Sequence, residues 1–264
     1  MPRSDLSAMN DWPTSSGAKC RPWRGRLDVP DGSASSDRCA TAYSAEEALR
    51  PLAFAACYVY SPRGRGAIAT ASRVLRARLK SGDPGWLACY AARVWQLRAG
   101  SGRYACFFGP DVVLVPVPRS RPHAPHVVWV AERLAMALVG FGLAGGIWTG
   151  LRRSVPVRKS ATSLSGERPT VAAHYGSLVA AQPPDGPNGE CPVTLDRLLL
   201  VDDVVTKGRT LLAASARLRE VCPASEVRGF ALARTLGLVR GIEHLVSPCE
   251  GEIFWSGGDA RRAP

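Results

Sequence analysis

From about residue 45 the chain alternates short apolar runs with stretches in which apolar residues recur every three or four positions. Ala45 to Arg50 reads as a helix. Pro51 to Tyr60 is rich in aromatic and apolar residues and halts at Ser61-Pro62, which predicts a strand. Ala67 to Lys80 sets Ile68, Ala71, Val74, Leu75 and Leu79 at helical spacing, and beyond a break at Ser81 to Gly85, Trp86 to Leu97 predicts a second helix. The apolar run within Asp111 to Val117 predicts a strand covered on both faces, as in a parallel sheet. A helix over Val127 to Val139, a glycine-interrupted strand over Leu143 to Leu151 and a strand opening at His174 to Leu178 follow. After a Pro/Gly-rich connector from Ala181 to Pro192 come a strand at Leu198 to Val201, a helix at Leu211 to Leu218, and strands at Val227 to Arg234 and Glu252 to Trp255. Strands alternating with helices predict an α/β protein with a parallel sheet. Residues 1 to 44 and 256 to 264 show no periodicity and are expected to be unstructured tails.

Chemistry concentrates in Leu198-Leu199-Leu200-Val201-Asp202-Asp203-Val204-Val205-Thr206-Lys207-Gly208-Arg209-Thr210. The strand ends at two carboxylates, on the sheet edge where open α/β folds bind ligands. The next residues bring backbone N–H groups to a helix start, which carries about half a positive charge and binds phosphate. Gly208 permits close backbone approach, and the Thr206 and Thr210 hydroxyls add donors. A ribose 5-phosphate satisfies both halves, with its hydroxyls on the acids and its phosphate in the turn. A P-loop is excluded, because Lys207-Gly208 lacks the required G-x-x-x-x-G-K-[ST] spacing.

This stretch resembles the motif with which type I phosphoribosyltransferases bind 5-phosphoribosyl diphosphate (PRPP): apolar strand, two acids, two aliphatics, then Thr/Ser-x-Gly-x-Thr. Lys207 stands where that family usually has Thr or Ser. The resemblance implies that Asp202 and Asp203 hold the ribose hydroxyls, and that Thr206, Lys207, Gly208, Arg209 and Thr210 hold the 5-phosphate. A second resemblance, to the ComF-like competence branch without its N-terminal zinc ribbon, rests on two features. One is the order tyrosine strand, turn, helix ending in Leu79-Lys80, then Gly82-Asp83; the other is the Val-Pro-Val-Pro strand before Arg119-Ser120-Arg121. It implies a parallel-sheet, Rossmann-like phosphoribosyltransferase core over 111–255 with a small N-terminal hood over 45–110. It also implies that Arg119, Ser120 and Arg121 grip the diphosphate. The sequence departs from that branch at Pro122 to Val127, where an Arg-Gly-Phe-Asn-Gln run is usual. A mobile loop of the family brings a basic side chain to the diphosphate; Arg158 and Lys159 match it in order, with Arg168 behind them. The implied cofactor is Mg²⁺, held mainly through PRPP rather than by the protein, and the implied partners are PRPP and an unidentified base or amine.

The net charge of +12 and pI near 9.8 point to acidic partners, but only 4 of 34 basic residues are lysine, and the arginines are spread along the chain. Nucleic acid therefore stays a possible partner without a motif of its own. Eight cysteines without a C-x-x-C pair argue against a zinc ribbon and for reduced, mostly buried thiols in a cytoplasmic protein. The apolar stretch Leu134 to Trp148 is short for a membrane span, so no membrane association is expected. His123 and His126 have ligand-like spacing but no acidic or cysteine companion nearby, which favours a solvent-facing helix entry; an isolated His174 reads as structural or as orienting an acceptor.

Two functions fit: an Mg²⁺-dependent transferase of phosphoribosyl groups to a nitrogen nucleophile, or a non-catalytic module of the same fold that senses PRPP or a nucleotide or assists DNA handling. Thr206 stands where 6-oxopurine salvage enzymes carry an aspartate, which argues against hypoxanthine and guanine as acceptors. A homodimer is compatible with either.

Overall fold

The structure, a computed structural model, describes residues 26–27, 49–124, 126–158, 168–182, 195–237 and 242–264. Among the described residues ten strands and five helices follow one another as β1 (Arg26–Leu27), β2 (Leu52–Tyr60), α1 (Ala67–Ser81), α2 (Pro84–Ser101), β3 (Gly109–Pro116), α3 (Val130–Gly140), β4 (Ala144–Trp148), β5 (Leu151–Arg153), α4 (Val171–Ser177), β6 (Leu178–Ala180), β7 (Arg197–Val205), α5 (Arg209–Val221), β8 (Glu226–Thr235), β9 (Val246–Ser256) and β10 (Asp259–Ala263). The main sheet runs β1-β4-β3-β7-β8-β2-β9-β10, seven strands and the two-residue β1 at its edge. All pairings from β1 to β2 are parallel; β9 and β10 close the far edge as antiparallel strands. The chain is thus an α/β protein with a mostly parallel central sheet, beside a small β5–β6 sheet.

The central strands are apolar on both sides because both sides are covered. Along β7, Leu198 and Leu200 join a core with α5, α4 and the facing side of β2, whereas Leu199 and Val201 join a second core with α1, α2 and α3. The second core centres on Phe230, whose ring meets Phe108 at 5.0 Å and Tyr104 at 6.0 Å, both edge-on. The N-terminal region expected as a hood supplies β2 to the sheet and α1 and α2 to one face. Helix α2 begins as its sequence dictates: Asp83 caps the Trp86 amide at 3.0 Å and Pro84 occupies the first turn.

Several sequence expectations need correction. His174 to Leu178 opens no strand: Thr170 caps the Ala173 amide at 3.1 Å and starts the helix α4, so only Leu178 to Ala180 is extended. Leu143 to Leu151 is not one strand either. It breaks after Trp148, and Leu151 leaves for the second sheet across Gly150, where a Cβ would lie 2.2 Å from the Trp148 ring. Glu252 to Trp255 belongs to the longer β9, and the C-terminal residues expected to be loose form β10. The two pair through a turn in which Gly257 and Gly258 both take positive φ, as a tight hairpin requires. Within the expected N-terminal tail, Arg26 and Leu27 pair with Ile147 and Trp148. Of the helix expected over 45–50, residues 45–48 lie outside the described residues and Leu49 and Arg50 are not helical; the rest of that tail and most of the 181–192 connector also lie outside them.

Among the described residues Cys57, Cys89, Cys106 and Cys249 are free thiols, and burial pushes Cys57 up to about 12. No described helix is long and apolar enough to cross a membrane. Removing the ring at the centre of the second core, by Phe230→Ala, is expected to cost about 3–5 kcal/mol in urea unfolding. A loss below about 1 kcal/mol would mean that the ring cluster does not bear on stability.

Candidate functional site

The carboxyl ends of β7, β8 and β2 open into a cavity of about 620 Å³. Its floor is the acidic tip of β7 and its wall is the loop that starts α5. Because strand side chains alternate, Asp202 and Asp203 leave β7 on opposite faces, and both line the cavity. The strand does not end at the acids, as its sequence suggests: it runs two residues further, to Val205, which returns to the core under α5.

The two acids differ in circumstance. Asp203 is buried, accepts the Val204 amide at 2.7 Å and is ion-paired with Lys80 at the end of α1. Asp202 accepts the Asp203 amide at 2.8 Å but, among the described residues, has no cation within ion-pair distance. Burial, reinforced by the neighbouring Asp203 charge, raises the Asp202 pKa above its ordinary carboxylate value. Arg153 lies on Asp202's side of the sheet, 5% exposed, hydrogen-bonded to the Ser177 hydroxyl and at 2.6 Å to the Arg119 carbonyl. Burial lowers its pKa to about 10, and Asp202 partly offsets that.

The loop after the acids turns at Gly208, with φ +87, and a Cβ there would lie 2.6 Å from Ile253 of β9. Leu212 donates the first helical bond, to the Gly208 carbonyl at 2.9 Å. Among the described residues the N–H groups of Thr206 to Leu211 have no acceptor, which leaves a row of backbone donors at the cavity wall. The Thr206 hydroxyl lies 3.4 Å from that of Thr235, and the Thr210 hydroxyl 3.4 Å from His174 Nε2. Burial, then Arg153 and Arg209, holds His174 down at about 4, so the ring is neutral at pH 7.

The structure brings Asp202, Asp203, Thr206, Lys207, Gly208, Arg209 and Thr210 together on this cavity, with Arg168. It places the Arg119-Ser120-Arg121 loop after β3, the strand beside β7, outside the cavity lining. That loop is tied to the stretch carrying Arg158, since the Val157 amide donates to the Ser120 carbonyl at 2.8 Å. Arg158 is exposed, and Lys159 lies outside the described residues. His123 and His126 are exposed just before α3. Among the described residues no three His, Cys, Asp or Glu side chains gather to hold a metal.

Sequence reasoning missed Lys80, Arg63 and Arg76, which line the cavity, and Arg153 behind it. Lys80 carries the one available signal, a lone lysine closing an arginine-rich helix. It also missed Asp259 on β10, which ion-pairs with Lys207 at 2.7 Å and with Arg209 at 2.5 Å. Compared with models of known protein families the chain matches none, and it matches no curated protein. Fold and site define the class: a mostly parallel α/β protein with a cavity at the carboxyl edge of its sheet, bounded by two acids and a helix start.

Two outcomes follow from this geometry. Gly208→Ala is expected to lose about 1–2 kcal/mol from the left-handed backbone alone, and more from the contact with Ile253. Combining it with Ile253→Ala should relieve the contact and not the backbone strain, so strictly additive losses in the double variant would argue against the contact. For Asp202 the native pKa is raised, so the folded state binds the extra proton and stability falls as pH rises from about 4 toward neutrality. Asp202→Asn should therefore be the more stable protein at pH 7, by on the order of 1–3 kcal/mol, with the advantage shrinking as the pH is lowered. Unfolding curves that coincide at every pH would contradict a desolvated carboxylate.

Proposed function

We propose that the protein binds PRPP and transfers its 5-phosphoribosyl group to a nitrogen nucleophile, releasing diphosphate. The observation that carries this reading is the meeting, in one cavity, of the acidic end of β7 with the acceptor-less amides of Thr206 to Leu211. A 5-phosphorylated ribose matches both: its hydroxyls donate to carboxylate oxygens, and its phosphate accepts from amides and from the Thr206 and Thr210 hydroxyls. Asp202, short of a cation, is the stronger candidate to accept a sugar hydroxyl; Asp203 shares its charge with Lys80.

Displacing diphosphate from C1 leaves positive charge on the sugar and negative charge on the leaving group. Lys80, Arg63, Arg76 and Arg168 around the cavity are cations suited to the latter, while the carboxylates favour the former. The Arg119 to Arg121 loop and Arg158 belong to the adjoining side and serve this reading if they swing over the ligand. On this reading Mg²⁺ enters as the counter-ion that the diphosphate carries, and no step is assigned to a metal held by the protein.

A second reading, binding without turnover, is favoured by one observation: Arg119, Ser120 and Arg121 stand outside the cavity lining. Calorimetry with PRPP and Mg²⁺ tests what both readings share. Asp202→Ala with Asp203→Ala is expected to weaken binding at least tenfold, and unchanged affinity would remove the site. Diphosphate release with a panel of bases and amines separates the two, since a binding module releases none.

A further inference from the structure

Three consecutive residues of the anion loop rest on the C-terminal hairpin rather than on the ligand side. Asp259 grips Arg209 with both carboxylate oxygens, at 2.5 and 2.6 Å, and takes Lys207 Nζ at 2.7 Å. Its own backbone is fixed as well, because the Ala260 amide donates to Asp259 Oδ1 at 2.8 Å. Between the two cations Gly208 sits against Ile253 of β9. One residue pair further along, Arg262 donates to the carbonyls of Val205 at 3.2 Å and Thr235 at 2.9 Å, joining β10 to the ends of β7 and β8. Arg209 also reaches the Pro169 carbonyl at 3.1 Å, so the same guanidinium holds the segment that leads into α4.

We propose that Asp259 is a positioning residue for the anion loop: through Lys207 and Arg209 it fixes the backbone of residues 207–209, so that the loop meets a phosphate with oriented amides and hydroxyls. This rests on the reading of the cavity as a sugar-phosphate site. The two cations that the family resemblance assigns to the phosphate are already bound to a carboxylate, and their work is to hold the loop. Charge-assisted contacts of this kind are strong and directional, and the planar guanidinium fixes orientation as well as distance.

Brace and bulk electrostatics give opposite signs. Asp259 is an anion beside an anion site, so if it acted only by its charge, removing it would tighten phosphate binding. A brace requires the reverse. The experiment measures binding of ribose 5-phosphate and of inorganic phosphate by calorimetry to the full chain and to its Asp259→Ala and Asp259→Asn variants. Amide hydrogen exchange at Leu212 and Ala213, the first closed turn of α5, is followed without ligand. Asp259→Ala is expected to weaken ribose 5-phosphate binding about tenfold, Asp259→Asn less because it keeps one acceptor, and exchange at Leu212 is expected to quicken in the same order. Tighter or unchanged phosphate binding, or exchange at Leu212 that does not move in either variant, overturns the proposal. Should the parent protein bind neither probe, the sugar-phosphate reading falls, and the exchange rates still decide whether Asp259 braces the loop. Asp259→Asn, isosteric and on an edge strand, keeps the test open if the alanine variant does not fold.

Discussion

The pleat of β7 governs the site. A strand buried on both faces must be apolar until it leaves the sheet, and successive side chains must part to opposite sides. Two adjacent acids are therefore admissible only near its carboxyl end, beside the cavity, where Val204 and Val205 beyond them still pack on the two cores. The same alternation makes them unequal. Asp203 falls on the side of α1 and finds Lys80; Asp202 falls on the side of α4 and α5, has no cation at ion-pair distance among the described residues, and feels the more distant charges of Lys80 and Arg153. One carboxylate is neutralised within the fold and the other is held ready, a division set by a two-residue period rather than by any special geometry.

The adjoining loop works by a different economy of groups. Helix α5 has no side-chain cap: Gly208 occupies the cap position in a left-handed conformation. The amides before the first helical bond are then satisfied by solvent or ligand. Such a loop would be pliable if nothing lay beneath it. Ile253, Asp259 and Arg262 lie beneath it, so the antiparallel edge β9–β10 bears on a site formed from parallel strands two and three positions away.

Much of this was readable from residue order, and the reasons are local. β7 announces itself by an unbroken apolar run, α1 by Ile68, Val74, Leu75 and Leu79 at helical spacing, α2 by Asp83-Pro84, and the turn into α5 by Gly208. What could not be read depends on partners distant in sequence. β10 has one buried apolar residue, Ala260, and becomes a strand because β9 lies alongside it. α4 looks like a strand by composition, yet the Thr170 cap and packing on α5 make it a helix. The pairing of Lys80 with Asp203 spans more than a hundred residues, and that of Asp259 with Lys207 more than fifty, so neither leaves a pattern in any short window.

Some of the unfavourable groups of the described structure line the cavity, whereas the buried Tyr90 hydroxyl, Arg98 Nε, Trp148 Nε1 and Arg234 Nε, also without a partner, lie away from it. Asp202 is a desolvated acid, His174 keeps a buried Nδ1 without a partner, and Arg168 keeps a buried Nε without one; all three line it. Each is a cost of order 1 kcal/mol or more that the two apolar cores must offset. A fold selected for stability alone would replace Asp202 with an apolar residue and fill the space above it, since the strand before it is already apolar on both faces. A raised acid, a neutral imidazole and acceptor-less amides around one opening are the arrangement that the proposed reading calls for, with polar groups left incomplete for a ligand that carries hydroxyls at one end and an anion at the other.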